Sequence, residues 1–70
     1  MVEVFKTNVS EPSQAKQLID MLLRHFPDNM INIDLHDCDK VLRLQGENFT
    51  VDKVLDFVRK NGFDCRVLES

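Results

Sequence analysis

Seventy residues leave room for one hydrophobic core and no second domain. With 43% apolar and 30% charged residues, the composition is that of a folded domain and not of a disordered chain. A formal charge of −3 without any Lys/Arg cluster argues against a nucleic-acid partner, and no run approaches the ~18 apolar residues of a membrane span.

The elements follow in chain order. Val2–Val9 alternates and is rich in β-branched residues, which predicts a strand with Phe5, Thr7 and Val9 on one side and Val4, Lys6 and Asn8 on the other. The opening MVEVFKTNV is acidic and strand-like, unlike a signal peptide, so a cytoplasmic location is expected. Ser10 is the expected N-cap of a helix with Pro12 in its first turn. Ala15, Leu18, Ile19, Leu22, Leu23 and Phe26 follow helical spacing, and Pro27-Asp28-Asn29 stops the run. Met30–Asp37 alternates again, with Ile31, Ile33 and Leu35 one way and Asn32, Asp34 and His36 the other. Asp37-Cys38-Asp39-Lys40 reads as a hairpin connection into the strand Lys40–Gln45, which Gly46, Glu47 and Asn48 end. Thr50 caps a second helix with Val51, Val54, Leu55 and Val58 along its buried stripe and Phe57 at its edge. Asn61-Gly62 closes that helix in a left-handed turn, and Phe63–Leu68 is a last short strand.

The order βαββαβ predicts an α+β, ferredoxin-like fold. Right-handed crossovers give a four-stranded antiparallel sheet of order 4-1-3-2 with two helices on one face. That architecture hosts many unrelated functions, so function has to come from particular residues.

The strand, loop and helix of FKTNVSEPSQAKQLIDML, together with the closing segment NGFDCRVLE, resemble the heavy-metal-associated (HMA) domains over essentially the whole chain. The resemblance implies a loop after the first strand carrying Met-x-Cys-x-x-Cys, whose thiolates bind copper(I) or zinc and pass the ion between partners. Both thiols are missing here. Ser10 and Ser13 take the cysteine slots in one register, Glu11 and Gln14 in the other. Side-chain phase favours the second, because Val9 shares the inward phase expected of the family's methionine and Asn8 does not. Neither pair makes a soft-metal site, which needs deprotonated sulfur. The simpler reading of Ser10-Glu11-Pro12 is a helix start, with Glu11 complementing the helix dipole.

Other ligand sets fare no better. Cys38 and Cys65 lie 27 residues apart, Cys38 in the hairpin joining strands 2 and 3 and Cys65 on strand 4 at the opposite edge of the expected sheet, strands 2 and 4 being roughly 14 Å apart. That separation is too great for a disulfide or a shared metal, so free thiols are expected. A local site of His36, Asp37, Cys38 and Asp39 competes with a solvated acidic turn, which such residues favour. Cys65 reads as an apolar filler and His25 as a surface residue complementing a helix C-terminus. No nucleophile–base pairing or phosphate loop emerges, so no enzyme and no cofactor are expected. The open sheet face is expected to carry Val4, Lys6, Asn32, Asp34, His36, Val41, Arg43, Arg66 and Leu68, with no aromatic platform for RNA bases. The expectation is a non-catalytic interaction module whose partner is an unidentified protein or a second copy. Metal handling through a weak or shared site is the alternative.

Overall fold

Two periodicities build the molecule. In the computed structural model, which describes residues 1–68, alternating segments form β1 (Val2–Thr7), β2 (Met30–Asp34), β3 (Val41–Gln45) and β4 (Cys65–Val67). Segments of helical period form α1 (Pro12–His25) and α2 (Val51–Lys60). Glu69, the last residue of NGFDCRVLE, lies outside the described residues. The strands pair antiparallel in the order β2-β3-β1-β4, which counted from the β4 edge is 4-1-3-2. No helix among the described residues is long and apolar enough to cross a membrane.

The pleat divides the sheet into two unlike faces. Phe5 lies opposite Leu42 on one side and Val67 on the other, Thr7 opposite Cys65, and Ile31 opposite Leu44. These side chains share the covered face. Phe5, Leu42 and Leu44 are wholly buried there with Leu18 and Leu22 of α1 and Val54 and Val58 of α2. α1 packs over β2 and α2 over β4. Phe49, to which the periodic pattern assigns no role, is also buried. It stands one residue before the cap Thr50, in one cluster with Val54, the arrangement of a hydrophobic staple that sets the entry angle of a helix.

Several boundaries differ from the sequence expectation, and at the ends of β1 and β2 a side chain takes over a backbone donor. β2 stops at Asp34 and not at Asp37: Asp34 Oδ1 accepts the His36 N–H at 3.0 Å and Asp37 Oδ1 accepts the Asp39 N–H at 2.9 Å. Such Asx turns compete with a ladder. β1 stops at Thr7 and not at Val9, since the Val9 N–H turns back to Thr7 Oγ1. Lys40 has a φ of +46° and belongs to the turn, and Phe63, Asp64 and Leu68 fall outside β4. The N-cap of α1 is Glu11 and not Ser10: Glu11 is extended, with Pro12 at the first helical position. The α2 cap is Thr50, as expected, its hydroxyl accepting the Lys53 N–H at 3.3 Å.

Gly62 and Gly46 make the two turns that require glycine. After α2 the Gly62 N–H reaches Arg59 C=O and the Phe63 N–H reaches Val58 C=O, with Gly62 at φ +91°. This is the paired closure that a left-handed residue permits. Gly46, at φ +149°, lies where a Cβ would stand 2.1 Å from the Asn29 side-chain oxygen. Asn29 is itself buried, donating to the carbonyls of Phe26 and Pro27.

Candidate functional site

Three connections meet at one end of the sheet: the loop from β1 to α1, the β2–β3 turn, and the turn after α2. Hydrogen bonds tie them together. Thr7 donates its N–H to Asp39 C=O at 3.1 Å and its hydroxyl to Lys40 C=O at 2.6 Å. Asn8 Oδ1 accepts the Asp64 N–H at 2.8 Å. Sequence reading assigned Thr7 and Asn8 only to strand faces, because their partners are about 30 and 56 residues away in the chain.

Glu11 and Gln14, the residues in the cysteine slots of the HMA resemblance, are occupied in building the helix start. Gln14 Oε1 accepts from the backbone N–H groups of Glu11 and Ser10, at 3.2 and 3.3 Å, and from the Ser10 hydroxyl at 3.4 Å. A side chain at the third helical position reaching back to the cap is the return leg of a capping box. It satisfies donors that the helix cannot.

At the β2–β3 turn, one donor atom each from Asp37, Cys38 and Asp39 lies within 4.8 Å of the others. His36 is not in that group. It stands two residues beyond the end of β2, in the turn, and is exposed. The two carboxylates already have partners: Asp37 Oδ1 holds the Asp39 N–H, and Asp39 Oδ1 pairs with Lys6 Nζ at 3.2 Å. Cys38 and Asp37 are exposed, and both cysteines are free thiols.

Cys65 is the reverse case. It is buried, and burial pushes its thiol up to about 11, the nearby Arg59 guanidinium offsetting part of the rise. A thiol that stays protonated is neither a ready nucleophile nor a ready ligand. Its carbonyl is clamped by Arg59, with Nε at 3.0 Å and Nη2 at 2.8 Å. Beside it runs an open groove of about 640 Å³ bordered by Lys6, Asn8, Arg59, Phe63, Asp64 and Arg66. Arg59 has no sequence signature for this contact, since only the crossover from α2 to β4 brings the two together.

His25 is exposed, as expected of a residue near a helix C-terminus, but it does more than complement a dipole. Its ring stacks on Phe57 and meets Phe26 edge-on, both at 4.8 Å, which joins the ends of the two helices.

The uncovered sheet face carries its side chains in three rows, running from β2 to the β4 side. Asn32, Arg43, Val4 and Leu68 form the middle row, Asp34, Val41, Lys6 and Arg66 the row towards the β2–β3 turn, and Met30, Gln45 and Val2 the row at the far end. Met30 is 71% and Val2 50% exposed, while Val4 and Val41 are half-buried. Arg43 and Arg66 are exposed here, while Lys6 is half-buried and paired with Asp39, and Asp34 adds a carboxylate to the same face, on a chain whose formal charge is −3. Compared with protein-family models, curated proteins and solved structures, the chain matches none.

Proposed function

We propose that this chain is a non-catalytic interaction module on a ferredoxin-like scaffold resembling the HMA domains, without their soft-metal chemistry. The supporting observation is the uncovered sheet face, where Val2, Val4, Val41 and Met30 alternate with Lys6, Arg43 and Arg66. Apolar side chains supply contact area, and the cations favour a protein surface that presents carboxylates. The acidic balance of the rest of the chain opposes nucleic acid. Two unpaired thiols suit a reducing compartment such as the cytoplasm.

The test is comparative capture from a cell extract. A protein retained by the wild type is expected to be lost by Val41→Asp and by Arg43→Glu, and kept by Asp20→Lys on α1. Retention by both face variants, with circular dichroism reporting an intact fold, would remove the reading.

A second reading, metal handling at a weak or shared site, is favoured by the proximity of Asp37, Cys38 and Asp39. Titration of the reduced protein with Zn(II) and Cu(I), followed residue by residue in NMR, separates the two. Shifts confined to 36–39 or 10–15 at sub-micromolar affinity would move the function to metal. Silence at both segments retires it.

A further inference from the structure

The two edges of the sheet are finished differently. In an antiparallel ladder, residues that exchange hydrogen bonds with one neighbour alternate with residues whose N–H and C=O point the other way. On the β4 side the Leu68 N–H donates to Val4 C=O at 2.9 Å. Lys6 and Arg66, two residues on, are therefore the next bonded pair, and the backbone groups of Cys65 point out of the sheet. Arg59 occupies that outward carbonyl with two N–H donors. The edge is stopped there.

At the other side the Gly46 N–H donates to Met1 C=O at 2.9 Å, so Leu44 and Leu42 bond to β1 while Val41, Arg43 and Gln45 turn to β2. Their partners are Asp34, Asn32 and Met30. The backbone groups of Ile31 and Ile33 then face outward, and no side chain or turn among the described residues takes them up. Within β2 itself, MINID holds no lysine, no proline and no bulge; Lys40 Nζ meets the edge only beyond the strand, at the Leu35 carbonyl.

From this asymmetry we infer that β2 is a strand-addition edge whose occupant is a second copy of this chain, paired antiparallel about a two-fold axis through Asn32. In that register Ile31 lies opposite Ile33 of the second copy, and the two such pairs exchange about four backbone hydrogen bonds. Both isoleucines are half-buried on the covered face, so pairing removes their remaining apolar surface from water. Charge also selects the register. Asp34 falls opposite Met30 of the second copy, and Asn32 opposite Asn32, whose amides are mutual donors and acceptors. The product is a continuous eight-stranded sheet from two copies of the four-stranded one. A short strand contact makes a weak dimer that forms with rising concentration.

The edge pairs through its backbone and the open face through its side chains; Asn32 lies on both, so the cross-linking geometry there separates the two by experiment. Asn32 is exposed, and at the axis the two copies stand as a non-bonded pair with Cα atoms about 4.5 Å apart, within disulfide range. In a Cys38→Ser background, Asn32→Cys is expected to give a covalent dimer on mild oxidation, and Asp34→Cys is not. Sedimentation velocity of the reduced wild-type chain is expected to show a monomer–dimer equilibrium that Asn32→Lys abolishes by opposing two cations, with circular dichroism unchanged. A monomer at every concentration up to about 1 mM, below the affinity that defines even weak complexes, would overturn the inference. So would a dimer broken by Arg43→Glu and indifferent to Asn32→Lys, while leaving the interaction-module reading in place.

Discussion

Along β1 the side chains of Phe5 and Thr7 are almost wholly removed from water, whereas Val4 and Lys6, one residue away on the same strand, remain partly exposed. The buried part of the covered sheet face is apolar apart from Thr7, whose hydroxyl is satisfied by Lys40 C=O. The uncovered face mixes valines with Lys6, Arg43 and Arg66. Stability therefore rests on one side of a single sheet. The other side is free to be specified by something outside the chain, as a domain this small needs most of its apolar residues for packing.

The largest break in that comparison is Leu44→Ala. Leu44 is fully buried, and truncation there is expected to cost about 2–5 kcal/mol in urea unfolding, comparable to the whole stability of a domain of this size. Arg43→Glu, the adjacent residue on the open face, is expected to change stability by no more than about 0.5 kcal/mol. Equal losses from both would erase the distinction between the faces.

A smaller effect comes from the rim of the covered face. Gly46→Ala forces a residue with a Cβ to φ +149° and drives that atom into the Asn29 oxygen, for an expected loss of about 1–3 kcal/mol. The Asn29→Ala/Gly46→Ala pair relieves the collision but not the backbone strain. A double-mutant cycle should then show positive coupling; strict additivity would mean that the contact is unimportant.

The smallest expected effect is a pH dependence carried by Cys65. Its folded value, about 11, lies above the ordinary 9.0, so the folded state holds the proton more tightly. The stabilising contribution is complete below 9.0 and is lost as pH rises through about 11. Cys65→Ala is expected to flatten that limb of the stability profile. Alkylation at neutral pH should label the exposed Cys38 well before Cys65, and equal labelling would place Cys65 outside the covered face.

Much of this was legible from the residues. Alternation at Val4, Phe5, Lys6 and Thr7 assigned them to opposite faces, and the 3.6-residue rhythm from Ala15 to Phe26 and from Val51 to Val58 located both helices. Local chemistry at Thr50 and Asn61-Gly62 marked the boundaries of α2. Leu23 shows the limit of periodicity: it belongs to the apolar set of α1 and is nonetheless 39% exposed, because the width of a buried stripe depends on what covers it.

The end of β2 and the start of the first helix differ from the sequence expectation for a common reason. Ser10, Asp34 and Asp37 can each bond the backbone in more than one way, and the choice depends on neighbours already in place. Gln14 selects Glu11 as the cap by reaching back to it, while Asp39, drawn to Lys6, leaves the turn folded against β1. Sequence by itself determined the order of the elements, the faces of the strands, and the absence of cysteine from the loop after β1, since each is a property of residues near one another in the chain. Only the tertiary structure decided that Arg59 stops the β4 edge while β2 stays open, and that Cys65 is a buried, protonated thiol. Those outcomes depend on groups from separate elements that meet only after the crossovers close.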